Sequence, residues 1–221
     1  MSTRDAILGK IRRSLGVHAE DSARNAAVDG RLLQHAPGVI PARGQVSPDA
    51  KLVLFTRLVE KTGATTIRVP STTAVPDAVA EYLRGRNLPA KVRMGDDALL
   101  EALPWQHTQI EREKGPSDGH DPVGLSHAFG AVAESGTLVL VSGNANPTTL
   151  NFLPETHIVV LLRDDLAGDY EMIWKKLRAE YGRAMPRTVN MITGPSRSAD
   201  IEQTIVRGAH GPRNLHIIIV D

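Results

Sequence analysis

Two short apolar runs dominate the hydrophobic pattern of this chain, residues 138–141 (LVLV) and 158–162 (IVVLL). Continuous Val- and Leu-rich runs of this length predict strands buried on both faces of a sheet, and both are candidates for the centre of the fold. Glu134, Ser135 and Gly136 precede the first run, so the turn that opens the strand carries a carboxylate to the rim of a buried sheet. Between the runs, residues 142–151 (SGNANPTTLN) have the Gly, Asn, Pro and Thr content of a surface loop, which would share a neighbourhood with Glu134 if the two strands are neighbours.

Elsewhere the pattern alternates between helical and strand periods. Ile7, Leu8, Ile11 and Leu15 form one stripe of a first helix, with Lys10, Arg12 and Arg13 mostly off it and Gly16 as its stop. Residues 17–47 show little periodicity and read as an irregular linker or wrapping segment. From Pro48 a helix runs to about Thr62, with Leu52, Phe55, Leu58 and Val59 inward, then a strand over 65–69, a helix over 73–84 and a strand over 91–94. A short helix over 96–103 is followed by the charged stretch 111–122 (EREKGPSDGHDP), read as a mobile lid or insertion. Later elements are a helix over 170–181 with Trp174 on its buried stripe, a strand over 189–193, a short helix over 198–207 and a last strand over 215–220. The alternation argues for an α/β fold with a mostly parallel sheet covered on both faces, organised as an arm over 1–47 and a domain over 48–221.

Composition narrows the chemistry. The 26 Lys plus Arg balance 25 Asp plus Glu, and aromatic residues are 4% of the 221 residues, so neither a basic field nor stacking platforms favour nucleic acid. With no cysteine, thiolate nucleophiles, disulfides and thiolate-held zinc or iron–sulfur clusters are excluded from this chain. No apolar run approaches a membrane span and the N-terminus lacks a signal-peptide core, so a soluble, cytoplasmic protein is expected.

Three clusters could carry chemistry. Residues 193–202 (TGPSRSADIE) read as strand, turn and helix. At such a junction free N–H groups and the helix dipole favour a phosphate or carboxylate beside Arg197; alternatively Ser196 or Ser198 caps the helix and Asp200 offsets its dipole. The stretch is neither a Walker loop nor a dinucleotide turn. Glu134 is open to three readings, a surface turn residue, a structural acceptor, or an active-site base or nucleophile, and if buried it needs a partner such as Arg197 or His210. His210, between glycines in 207–214 (RGAHGPRN) with Arg213 nearby, suits proton transfer or anion binding. His107, His120 and His127 lack a metal-ligand spacing, so no metal site is expected, and His157 is expected to hydrogen-bond locally.

Taken in order, AESGTLVL at 133–140, LPETHIVVL at 153–161 and GPSRSADIEQTIVRGAHGPRNLHIIIV at 194–220 resemble the LUD-domain family of lactate-utilisation protein C, as does the opening helix ILGKIRRSLG at 7–16. The resemblance implies a three-layer α/β/α fold similar to the superfamily of glucosamine-6-phosphate deaminase, ribose-5-phosphate isomerase and CoA transferases. It also implies a role as the cluster-free component of L-lactate oxidation to pyruvate, with two partner proteins carrying iron–sulfur clusters and no cofactor on this chain. The carried-over site positions are Glu134 and His210 as catalytic candidates. Gly136, Thr137, Gly194, Pro195, Ser196, Arg197, Asp200 and Gly211 are candidates for binding a small anionic ligand. Where members of the family often have an arginine after the central strand, this chain has Pro147, Thr148 and Thr149. Two other classes stay open: a transferase or isomerase acting on a CoA or phosphorylated ligand, for which Glu134-Ser135-Gly136 is similar in outline to a CoA-transferase glutamate turn, and a structural adaptor docking through its first helix.

Overall fold

The computed structural model describes residues 3–18, 20–201 and 204–221, with no side-chain detail over 198–207. Contacts divide the chain into one unit over residues 1–39 and a second over 40–221. The first unit holds helix α1 (Thr3–Leu15) and helix α2 (Ser22–Gln34), and no described residue of either helix is buried. Helix α2 corrects the reading of 17–47 as irregular. Asp21 caps it by accepting the Arg24 N–H, and His35 closes it in the left-handed conformation, local signals that a search for apolar period passes over.

In the second unit Ser47 caps α3 (Pro48–Lys61), which is followed by β1 (Thr65–Val69), α4 (Val75–Gly85), β2 (Lys91–Met94), α5 (Ala98–Ala102) and β3 (Glu111–Lys114). Then come β4 (Val123–His127), β5 (Gly130–Val132), β6 (Thr137–Val141), β7 (Thr156–Leu162), β8 (Leu166–Ala167) and α6 (Tyr170–Tyr181). The chain ends with β9 (Val189–Ile192), β10 (Arg197–Ile201), β11 (Thr204–Arg207) and β12 (Asn214–Val220).

Six strands form a parallel sheet in the order β1-β12-β7-β4-β2-β3. Its central strands are apolar at successive positions because both faces are covered. On one face Ile158, Val160, Ile218 and Val220 pack against Val75, Val79 and Leu83 of α4. On the other, Val159, Leu161, Ile217 and Ile219 meet Leu52, Phe55 and Val59 of α3 together with Leu138 and Leu140 of β6. A smaller sheet, β8-β5-β6-β9, therefore lies beside α3, and its far face carries Ile173 and Leu177 of α6.

The two apolar runs are thus not neighbours in one sheet: β7 is central in the parallel sheet, whereas β6 pairs antiparallel with β5 and β9. A strand buried on both faces has the same pattern in either place. The charged stretch 111–122 opens with edge strand β3, whose alternating charges suit an edge.

Candidate functional site

Glu134 lies in the turn joining β5 to β6. Gly136 adopts φ +68°, its N–H donates to Val132 O, and a Cβ there would come within 2.8 Å of Val59 N, so the turn rests directly on the last turns of α3. The Glu134 N–H donates to Gly168 O, and the side chain is only 4% exposed. Its cation is Arg43, whose Nε stands 3.4 Å from Oε2; this is an ion pair without hydrogen-bond geometry, and Oε2 has no hydrogen-bond partner. Neither Arg197 nor His210 fills the role foreseen for it. Arg43 is brought in because Gly44 packs so closely on Gly168 that neither has room for a Cβ.

The turn and the start of β6 also carry a cluster of hydroxyls. Thr137 Oγ1 is 2.8 Å from Ser135 Oγ, 2.9 Å from Tyr170 Oη and 2.6 Å from Thr193 Oγ1, and Ser135 Oγ donates to Tyr170 Oη at 3.0 Å. Thr193 follows Ile192, the partner of Leu138, so the β6–β9 ladder itself brings the two threonines together. Of these groups sequence reasoning named Thr137 as a site candidate and Ser135 only as part of the turn. No local signal links Tyr170 or Arg43 to a turn so distant in the chain.

Gly194 and Arg197 sit on the same end of α3. Gly194 has φ +86° and abuts the Thr62 side chain, and the Arg197 guanidinium lies over Gly63 just past the helix C-terminus, where the dipole favours a cation. Pro195 is buried behind them. The helix expected over 198–207 is instead the antiparallel pair β10 and β11, so no helix N-terminus faces Arg197 and that dipole argument for an anion falls. Ile201 and Ile205 have helical spacing, but the β-branched run Thr204-Ile205-Val206 favours a strand. Asp200 belongs to β10, and its side chain, like Glu202 and Gln203, is outside the described residues.

Ser196, His210 and Gly211 form a separate group. Ser196 Oγ accepts the His210 N–H, the Ser196 backbone pairs with Pro212 O and Gly208 N–H, and Gly211 packs on the Ser196 side chain. His210 and Gly211, but not Ser196, line a cleft of about 670 Å³ at the amino ends of β4, β7 and β12, together with His120, Asp121, Glu155 and Arg213 among others. Asp121 is held by Arg93 Nε at 2.9 Å through Oδ1 while buried Oδ2 lacks a hydrogen bond, and Arg213 donates to Glu155 at 3.4 Å. Two imidazoles and a guanidinium offer N–H donors to a small carboxylate here. The candidates therefore fall into two places, Glu134, Gly136, Thr137, Gly194 and Arg197 around the end of α3 and His210 and Gly211 at the cleft, with Ser196 bonded to their loop.

The remaining histidines are structural or lie elsewhere. His157 is fully buried with Nε2 2.9 Å from Ser126 Oγ, and burial pushes its pKa down to about 3. His127 closes β4 against Asp97. Among the described residues no group of three or more His, Asp or Glu side chains could hold a metal ion, and no helix is long and apolar enough to cross a membrane. Thr148 and Thr149 begin a short 3-10 turn over Thr148–Asn151, in which Thr149 Oγ1 is buried without a hydrogen bond.

A family model described as LUD domain matches residues 52–220. The chain is similar to a lactate utilization protein C of Halalkalibacterium halodurans, with 37% identity over 120 residues covering 53% of this chain and 52% of that protein. It is also similar to one from Geobacillus sp. (strain WCH70), with 39% identity over 100 residues covering 44% and 42%. The matched stretch spans about half the length of these curated relatives or less. The crystal structure of a DUF162 family protein from Deinococcus radiodurans superposes with a TM-score of 0.60 at 20% identity, covering 80% of this chain and 99% of that one, which shows a shared fold.

Proposed function

This chain belongs to the LUD-domain family, and from that membership we propose that it serves lactate utilisation as the cluster-free component of a cytoplasmic system oxidising L-lactate to pyruvate. The observation that carries the reading is its similarity to proteins named lactate utilization protein C. Removing two electrons from lactate requires an acceptor; a chain with no cysteine has no thiolate to hold an iron–sulfur cluster, and the family resemblance implies that partner proteins carry the clusters that take the electrons. This chain's own contribution is to bind a small carboxylate and manage its proton. In the amino-end cleft His210, His120 and Arg213 supply the donors, and His210, exposed on its loop, exchanges the proton. Glu134, Gly136, Thr137, Gly194 and Arg197 shape the neighbouring end of α3, with Arg197 a second cation for an anionic group.

A tagged chain recovered under anaerobic conditions from cells growing on lactate tests this. A brown partner should accompany it, and lactate-dependent dye reduction by the recovered assembly should vanish when this chain is omitted. Recovery of a colourless chain alone, with reduction unaffected by its omission, contradicts the role.

A second reading is favoured by one observation, the buried Glu134 Oε2 that has no hydrogen bond, in a turn that also carries Ser135 and Thr137. A carboxylate so placed suits the base or nucleophile of a transferase or isomerase acting on a CoA or phosphorylated ligand. Glu134→Gln would then abolish turnover, and trapping of an acyl adduct on Glu134 would identify the nucleophile.

A further inference from the structure

The amino-end cleft is larger and more apolar than a three-carbon acid requires. Its volume of about 670 Å³ lies in the range of about 300–1,000 Å³ that suits drug-sized ligands. Part of its wall is apolar, because Phe152 and Leu153, 40% and 46% exposed, both line it. An isolated exposed leucine needs no explanation, but two large apolar neighbours lining one cleft do.

Their exposure is built into the backbone. Leu150 and Asn151 before the pair are buried, and so is Pro154 after it, in the space that Gly124 of β4 leaves open. The N–H groups of Phe152 and Leu153 both donate to Thr149 O, at 3.2 and 2.9 Å. A segment pinned on both sides cannot turn the pair inward without lifting Pro154 off β4.

The loop over residues 208–213 supplies the other half of the site. It runs beside the first segment, since the Asn214 N–H donates to Glu155 O and the edge of the Phe152 ring is 3.8 Å from where a Cβ on Gly211 would stand. Gly208 adopts φ +84°, and a Cβ on it would overlap Arg213 Cγ, so the Arg213 stem lies across this glycine. One loop thus carries both a cation of the cleft and the wall on which the aromatic ring rests.

Charge and surface together select the ligand. Among the described residues Arg213 donates to Glu155 through Nη1 alone, at 3.4 Å and with side chains 60% and 61% exposed, a weak pair that leaves Nε and Nη2 to a carboxylate. Asp121, the other acid lining the cleft, is compensated by Arg93. His120 and His210 can meet a hydroxyl in either protonation state, because a hydroxyl both donates and accepts. The methyl group of lactate would leave most of Phe152 and Leu153 in water, whereas a longer apolar tail would cover them. We propose that the cleft binds 2-hydroxy acids whose side chain is larger and more apolar than that of lactate, with the carboxylate on Arg213 and the side chain over Phe152 and Leu153. This rests on the reading of the cleft as the acid-binding site and extends it from lactate to its larger homologues.

Nuclear magnetic resonance of the full chain, following the Arg213 Nε–H, the Phe152 ring and the Leu153 methyl signals, tests the assignment. The probes are L-lactate, L-2-hydroxy-4-methylpentanoate and L-3-phenyllactate, with 3-phenylpropane-1,2-diol as a comparator that lacks the carboxylate. Each methylene buried is worth about fourfold in affinity, so one or both larger acids should bind about tenfold or more tightly than lactate and shift all three sets of signals saturably. The diol should bind more weakly than phenyllactate. Phe152→Ala and Leu153→Ala change exposed side chains; each should reduce the preference for the larger acid over lactate, and the two together should abolish it. Equal or tighter binding of lactate, with Arg213 still shifting, overturns the inference and leaves the cleft as a lactate site. No shift of Arg213 with any acid overturns both. A preference that survives unchanged in the single and double variants, or a diol that binds as tightly as phenyllactate, also overturns the inference.

Discussion

Gly194, just past β9, and Thr62, at the C-terminal cap of α3, meet so closely that a Cβ on Gly194 would overlap the Thr62 hydroxyl. The glycine also has φ +86°, which an L side chain rarely adopts. Gly194→Ala therefore combines backbone strain with a clash and should cost about 2–4 kcal/mol. The urea midpoint should fall without a change in the slope of the transition. Thr62→Ala in the same background should return part of the loss by removing the atoms in the way, a coupling that a purely conformational cost would not show.

Thr137 is the shared partner of three hydroxyls, and it is fully buried. Thr137→Val keeps the shape and the β-branched fit to the strand but deprives Ser135, Tyr170 and Thr193 of a common contact. The expected loss is about 1–3 kcal/mol, whereas Tyr170→Phe, which leaves the Thr137–Thr193 bond in place, should cost about 1 kcal/mol. Equilibrium unfolding of the two variants gives the comparison, and equal losses would mean that Thr137 is not the hub.

The Arg43 and Glu134 pair has one partner in water and one inside, with side-chain exposures of 67% and 4%. Arg43→Ala strips the buried carboxylate of its cation and should cost about 1 kcal/mol, reduced from the fully buried case because Arg43 is screened by solvent. Glu134→Gln removes the charge that needs the cation, so in that background Arg43→Ala should be close to neutral. A double-mutant cycle measures the difference, and a coupling of zero would make Arg43 a surface residue that only happens to lie near.

These relationships mark the limit of what was legible in the chain. The α/β alternation, α3, α4, α6 and the strands at 65–69, 91–94 and 158–162 were readable because the helices have their own apolar period and short strand-like runs lie between them. Strand β4 was not, although it is central: Val123–His127 is five residues long, follows a Gly/Pro loop and contains Gly124, whose missing side chain leaves space for Leu150 O and Pro154. The second sheet was hidden for a different reason, since TLVLV at 137–141 is buried on both faces and carries no mark of which sheet it joins. Glu134 could be picked out by the turn around it, but its partner Arg43 and the Thr137–Thr193 contact come from tertiary packing alone. The pairing of Asp97 with His127 was not legible because each is ordinary in its own segment and they meet only when β2 and β4 lie side by side.

Two buried histidines give the fold a pH dependence of known sign. Burial depresses His157 from 6.5 to about 3, and burial with the nearby Arg86 charge depresses His216 from 6.5 to about 4. Between the folded and unfolded pKa values the unfolded chain binds more protons, so unfolding free energy rises with pH across that window and levels off above about 6.5. The contribution is complete at neutral pH and declines as pH falls below the unfolded value, by at most about 1.4 kcal/mol per pH unit for each histidine. His157→Gln leaves a hydrogen-bonding group for Ser126 but nothing to titrate. It should be less stable than the parent at neutral pH and lose less stability on acidification, so the two urea-derived curves converge between about pH 6 and pH 4. Parallel curves would mean that His157 takes up its proton without unfolding, which the 2.9 Å bond to Ser126 and complete burial argue against.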